Sequence, residues 1–152
     1  MSHAPRHPDD TDAALRRILQ SCRTLAVVGL SPKADRPSHA VARYLQVRGY
    51  RIVPVNPVVA GSGILGERVY ASLREAAAAV RAEGGRIDLV DVFRKSEEVP
   101  PIAEEAIAIG ARVLWLQLGV VNDAALARAC AAGLAAVQDR CLEIEYARLI
   151  GG

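Results

Sequence analysis

Residues 24–38 read Thr-Leu-Ala-Val-Val-Gly-Leu-Ser-Pro-Lys-Ala-Asp-Arg-Pro-Ser, and they decide the fold. Residues 25–28 form a short apolar, partly β-branched run, the pattern of a strand buried on both faces, and Gly29 ends it. A loop of small residues and proline follows, carrying Lys33 and Arg36. Between 38 and 48 the apolar residues Ala40, Val41, Tyr44, Leu45 and Val47 recur at helical spacing. Strand, permissive loop and helix N-terminus in that order build an anion site. The first amides of a helix lack internal partners, and the helix dipole favours negative charge there. The dipole itself contributes only about 0.3–1 kcal/mol for an exposed charge. Tight binding therefore needs groups from other strands.

Upstream of this stretch, residues 9–12 offer an N-cap for a helix through about Ser21, with Leu15, Ile18 and Leu19 facing inward. Residues 1–8, with His3, Pro5, His7 and Pro8, read as a flexible tail ahead of one domain over 9–152. Downstream, Gly49 closes the first crossover helix, residues 51–55 supply a second strand, and Asn56-Pro57 end it. Residues 58–69, with Gly61, Gly63 and Gly66, read as an irregular connection. Ser72 caps a helix through Val80, and residues 87–93 form a third strand. Pro100-Pro101 mark the first turn of a helix to Ile109, and residues 113–118 form a fourth strand ending at Gly119. Asn122 or Asp123 caps a further helix to about Ala132, residues 134–137 give a fifth strand, and residues 142–150 close the chain as a helix. Strand and helix alternate, with crossovers long enough for parallel neighbours. The expected fold is a single α/β, Rossmann-like doubly wound domain with a five-stranded parallel sheet.

Composition narrows the function. A chain of 152 residues with 51% hydrophobic and 24% charged residues buries a core without disulfides or metal. A net charge of +2, one Phe, one Trp and four Tyr lack the basic stripe and stacking aromatics of a nucleic-acid protein. No apolar run approaches the ~20 residues needed to cross a bilayer, and the N-terminus has no signal-peptide core. The expected setting is the cytoplasm, with no nucleic acid and no membrane as partner. Cys22, Cys130 and Cys141 are scattered without metal-ligand spacing and read as reduced structural thiols.

In a doubly wound sheet, ligands sit at the carboxyl ends of the strands, near the point where strand order reverses. That edge carries Ser31, Lys33, Arg36 and Ser38 after the first strand and Asn56-Pro57 after the second. Phe93, Arg94 and Lys95 follow the third, and Gln117, Gly119 and Asn122 follow the fourth. Cations and amides suit phosphate oxygens, and no nucleophile and base stand at useful spacing. A nicotinamide site needs Gly-x-Gly-x-x-Gly, whereas Gly29 is followed by Leu30-Ser31-Pro32-Lys33-Ala34, and Asn56 stands where a ribose-binding acid belongs. A phosphate-receiver domain lacks its acidic pair, and Asp91, inside the third strand, reads as a structural hydrogen-bonding group to neighbouring backbone. Arg23, Arg51, Arg86 and Arg112 precede the first four strands, where helix C-termini favour cations, so arginine alone does not mark the functional edge.

Five stretches together carry a family resemblance: residues 27–38 (VVGLSPKADRPS), 53–57 (VPVNP), 65–70 (LGERVY), 90–94 (VDVFR) and 115–122 (WLQLGVVN). They resemble the stand-alone CoA-binding domain family, related to the nucleotide-binding domain of the succinyl-CoA synthetase α subunit, over about residues 15–149. The resemblance implies coenzyme A, or an acyl-CoA, along the carboxyl edge. Gly29, Leu30, Ser31, Pro32 and Lys33 would lie against its phosphates or pantetheine, with Ser31, Pro32, Lys33 and Arg36 as the phosphate-side contacts. Pro37 and Ser38 would also belong to the cofactor site, and Asn56 and Pro57 would wall the adenosine. Phe93 and Arg94 would flank the cofactor, while Gln117, Leu118 and Gly119, with Asn122 beyond, would approach the pantetheine. The synthetase's second domain with its phosphorylated histidine has no counterpart within these 152 residues, so the expected function is binding without catalysis by the chain alone. Of the histidines only His39 lies near the pocket, and it reads as a helix residue.

The ordinary readings stand beside these. Pro37 and Ser38 start a helix, Arg94 and Lys95 form a solvated pair, and Trp115 belongs to the core. Tyr146 on an amphipathic last helix offers a dimer face, and Cys141 a mixed disulfide with the CoA thiol. A partner-dependent subunit of an acyl-CoA synthetase-type enzyme, and an interaction domain with a vestigial site, are the alternatives. A homodimer or an unidentified protein partner is left open.

Overall fold

The apolar run before Gly29 is strand β1 (Thr24–Val28) of the computed structural model, which describes residues 8–151. Four of its five residues are buried, as packing on both faces requires. It lies between β2 (Arg51–Val55) and β5 (Leu89–Val92), and β6 (Val113–Leu116) and β7 (Ala135–Val137) continue the sheet. The order is β2-β1-β5-β6-β7, with every pairing parallel. The chain winds outward from β1 to one side and then returns to β1's other side at β5. The switch point is the crevice between those two strands.

Alternate residues of each strand face opposite layers. Val27, Leu89 and Trp115 pack with Leu15, Leu19, Leu45 and Leu142 from α1 (Asp12–Ser21), α2 (Pro37–Val47) and α6 (Leu142–Leu149). Ala26, Val90 and Leu114 pack with Leu73, Val80, Ala103 and Leu126 from α3 (Leu73–Ala82), α4 (Val99–Ala108) and α5 (Asp123–Ala131). Two layers of three helices thus sandwich the sheet, the doubly wound arrangement that the alternating sequence implies.

Local chemistry sets the boundaries. Thr11 Oγ1 accepts from the Ala14 amide at 3.1 Å and Ser72 Oγ from Glu75 at 3.2 Å, so α1 and α3 begin where capping residues stand. The third strand is shorter than residues 87–93, and at its start the Asp88 side chain accepts from the amides of Arg23 and Thr24 at the beginning of β1. Residues 58–69 are more regular than expected. A 3-10 turn (Pro57–Val59) leads to a small antiparallel hairpin of β3 (Gly63–Ile64) and β4 (Glu67–Arg68). Tyr70 then lies along the outer edge of β2, its amide donating to Pro54 O at 3.0 Å and its carbonyl accepting from Asn56 at 2.9 Å.

At the other edge, Asp9 Oδ2 accepts from the Ala136 amide at 3.0 Å. Pro8 belongs to a 3-10 turn (Pro8–Asp10) rather than to a tail, and the remainder of the expected tail, with His3 and His7, lies outside the described residues. Asp10 pairs with Arg140, which with Arg148 also flanks the buried Glu145. Tyr146 is half-buried, its ring packed edge-on against Tyr44 and Tyr50, each at 6.0 Å between centroids. Trp115 is fully buried, its indole N–H held by Arg140 O at 2.9 Å. Among the described residues no helix is long and apolar enough to cross a membrane.

Candidate functional site

The parallel register carries one step past the last strand residues. Val28 pairs with Val55 and Val92, Val92 with Leu116, and Trp115 with Val137. The next row across the carboxyl edge is therefore Asn56, Gly29, Phe93, Gln117 and Asp139. The ladder continues into it through Gly29 N to Val55 O at 2.9 Å, Phe93 N to Val28 O at 2.9 Å and Gln117 N to Val92 O at 3.2 Å. Four of these five are expected site residues. The fifth, Asp139, escaped sequence reasoning; it adopts φ 58° and its Oδ1 accepts from Gly119 N at 2.8 Å. Its only signal in the sequence is its place just after the fifth strand.

Gly29 is required at the centre of this row. Its φ is +88°, and a Cβ there would stand 2.5 Å from the Phe93 carbonyl oxygen and 3.0 Å from the Arg94 side chain. The bare backbone at the switch point leaves a concavity of about 380 Å³ lined by Gly29, Ser31, Lys33, Arg36, Pro37, Ser38 and Phe93. A second, of about 470 Å³, is bounded by Phe93, Arg94, Lys95 and Glu98, so the Phe93 ring borders both.

The loop amides are less available than helix-terminus logic suggests. Arg36 is the α2 N-cap without a side-chain cap, and Pro37 brings no N–H to the first turn. Ser38 Oγ accepts from Ser31 N at 3.0 Å, Ser31 Oγ from Lys33 N at 3.1 Å, and Lys33 O from Arg36 N at 3.1 Å. The loop is folded on itself, each of these hydroxyl oxygens accepting from a loop amide. His39 adds a further tie: its Nδ1 lies 3.0 Å from Ser31 O, and since a carbonyl only accepts, Nδ1 carries the proton. That partner is a backbone carbonyl rather than an acid, which suits a buttress of the loop.

Charge then separates the two ends of the sheet. At the amino edge, Arg51 pairs with Glu83 at 2.6 Å, and Arg86 and Arg112 stand 4.0 and 3.8 Å from Asp88. At the carboxyl edge, Arg94 pairs with Glu98 at 2.8 Å and holds that carboxylate below its usual range. Lys33 and Arg36 form no ion pair among the described residues and stand exposed beside Gly29. Two uncompensated cations over a glycine cradle favour a phosphate-bearing ligand. A cavity of about 460 Å³ between the β3–β4 hairpin and α3 is larger than the concavity beside Gly29, but it is lined by one cation, Arg68, and one acid, Glu75, and has no such excess of charge.

Not every expected residue joins this cluster. Leu30 is fully buried and belongs to the core; what it presents is its carbonyl, taken by Asn56 Nδ2 at 3.0 Å. Asn56 thereby ties the ends of β1 and β2 together, and its Oδ1 caps the turn at Val58 at 3.0 Å, with Pro57 following on the exposed surface. Asn122 is spent on structure, accepting from Ala125 N and donating to Ser96 O, both at 3.0 Å. Gly119 has its amide on Asp139, while Leu118 projects with 64% of its surface exposed. Pro32 is exposed in the loop.

Asp91 departs from expectation. Its side chain bonds not to backbone but to Gln117, whose Nε2 donates to Asp91 Oδ1 at 2.7 Å. Asp91 is wholly buried, and burial pushes its carboxyl up to about 8, only partly offset by that hydrogen bond. At neutral pH it is a neutral acid whose Oδ2 has no partner. Burial likewise pushes the Cys141 thiol up, against the amides of Glu143 and Ile144. Among the described residues no His, Cys, Asp or Glu cluster could hold a metal ion. The arrangement can bind and orient an anionic ligand.

Comparison with known proteins agrees with this geometry. The family described as "CoA binding domain" matches residues 23–147. Protein YneT of Bacillus subtilis (strain 168) is 39% identical over 135 residues, covering 89% of this chain and 93% of that protein. A hypothetical protein from Pyrococcus horikoshii OT3 superposes with a TM-score of 0.84 at 36% identity, covering 99% of this chain and 100% of that one. A Thermus thermophilus structure gives 0.81 at 35% identity, over 91% of this chain and 98% of that one. With its switch-point glycine, its free cations and a family match spanning the whole sheet, the chain belongs to the CoA-binding domain family.

Proposed function

We propose that the protein binds CoA or an acyl-CoA across the carboxyl edge and performs no chemistry on it alone. The observation that carries this reading is the pair Lys33 and Arg36, without ion-pair partners among the described residues, beside the Gly29 backbone at the switch point. CoA is a polyanion with an adenine and a long amide arm. Its phosphates suit the two cations, its adenosine the Asn56-Pro57 end of the row, and its arm the passage past Phe93 toward Gln117. Ser31 and Ser38 accept from loop amides, His39 Nδ1 donates to a carbonyl, and among the described residues no base is hydrogen-bonded to either hydroxyl, which supports a binding role over a nucleophilic one.

Calorimetric titration with CoA, acetyl-CoA, NAD and ATP at low and high salt tests this. CoA should bind, more weakly at high salt, with NAD silent. The double substitution Lys33→Ala and Arg36→Ala should lower CoA affinity by about tenfold or more while leaving the melting temperature nearly unchanged, since exposed loop cations contribute to ligand rather than core. Unchanged affinity would place the phosphates elsewhere.

A further inference from the structure

The Asp91–Gln117 pair is the most unusual polar feature of the interior. Both residues are buried, Asp91 at 0% and Gln117 at 3% exposure, in strands otherwise filled by Val, Leu and Trp. A buried polar pair left partly unsatisfied costs about 1–3 kcal/mol relative to apolar packing, so a purely structural account is weak. Its place in the register is more informative. Asp91 lies opposite Val27 and Trp115, one pleat repeat behind Phe93 on the same face, and Gln117 lies beside Phe93 in the edge row. The Gln117 carboxamide therefore stands at the strand ends and is tied back into the sheet by its Nε2. No protein donor reaches its Oε1 among the described residues, and that atom is not among the buried orphans.

Resting on the CoA reading above, we propose that Asp91 is a positioning residue: it fixes the Gln117 carboxamide through Nε2, so that Oε1 is held as a hydrogen-bond acceptor for an amide N–H of the pantetheine arm. An unrestrained glutamine would present N–H or oxygen in either sense and lose rotamer entropy on binding. With one Nε2 hydrogen donated to Asp91 Oδ1, the carboxamide can no longer flip, and Oε1 keeps a fixed position. A neutral acid is suited to this task, because it accepts without placing a fixed negative charge behind a site for a polyanion.

The test separates the ligand's two ends. CoA and adenosine 3′,5′-bisphosphate, which lacks the arm, are titrated into the wild type, Asp91→Leu, Asp91→Asn and Gln117→Leu. Asp91→Leu and Gln117→Leu should each weaken CoA about fivefold to tenfold, the worth of one neutral hydrogen bond, and leave the bisphosphate unchanged. Asp91→Asn keeps an acceptor for Nε2 and should stay within about twofold of wild type. The two leucine substitutions combined should cost no more than either alone, since they remove the same bond. Equal weakening of both ligands, or no change in CoA, overturns the positioning role, as does an Asp91→Asn loss as large as that of Asp91→Leu. If Asp91→Leu does not fold, Gln117→Leu and Asp91→Asn decide. A wild type that binds neither ligand refutes the CoA reading itself, whereas one that binds CoA with indifferent variants refutes only this inference.

Discussion

Replacing Asp91 by Asn turns the buried acid into a measurable pH effect. The carboxyl titrates near 3.9 in an unfolded chain and is pushed up to about 8 in the folded one. Between those values the folded state holds a proton that the unfolded state has lost, so stability falls as pH rises, by about 1.4 kcal/mol per unit. From about pH 5 to about pH 7.5 this amounts to on the order of 3 kcal/mol, or roughly 6–12 °C in melting temperature for a domain of this size. Asparagine has the shape of the neutral acid, accepts from Gln117 Nε2 as before and does not titrate. The stability of Asp91→Asn minus that of wild type should therefore grow with pH across this window and level off near pH 8. Every other titrating group cancels in the difference. Urea unfolding followed by the fluorescence of Trp115, the single tryptophan, measures it. Parallel pH profiles for the two proteins would show that Asp91 is ionised in the fold, and the account of a neutral buried acid would fail.

Two further expectations follow from the same geometry. Gly29→Ala combines a positive φ with a Cβ only 2.5 Å from the Phe93 carbonyl, and should destabilise the fold by about 2–4 kcal/mol. Thermal melting checks it, and a melting temperature within a degree or so of wild type would mean that the backbone relaxes freely there. Asp88→Ala removes the acceptor of Arg23 N at 2.9 Å and Thr24 N at 3.0 Å and leaves Arg86 and Arg112 without their shared carboxylate. It should cost about 2–4 kcal/mol in urea unfolding without altering CoA affinity. A change in affinity would mean that the amino edge takes part in binding.

What the sequence disclosed depended on the range of the interaction. Strands β1, β2, β5, β6 and β7 announce themselves as apolar runs because each is buried on both faces, and Ser72 and Asn122 cap helices through bonds to residues three positions away. The β3–β4 hairpin was hidden, since two-residue strands carry no period and are held in place by Tyr70 pairing along β2. For the site, the order of elements was enough to locate the switch point and Gly29. The row Asn56, Gly29, Phe93, Gln117, Asp139 depends on strand register across five separate segments, which no local pattern encodes. The same limit explains Leu30, which sits in a polar motif yet points into the core, and Asp91, whose partner is 26 positions away.

The sheet's two margins have a consequence for assembly. A strand at the border of a sheet normally invites a neighbour, through which copies of a protein can join into a continuous ribbon or an aggregate. Here Pro54 and the Tyr70 segment occupy one border, and the Asp9 carboxylate takes the amide at the middle of three-residue β7 on the other. Sideways growth of the sheet is thus impeded at both margins by short side-chain and loop contacts. Pairing of copies along these margins would first have to displace those contacts, which leaves helix surfaces and strand-end loops as the less obstructed route to association.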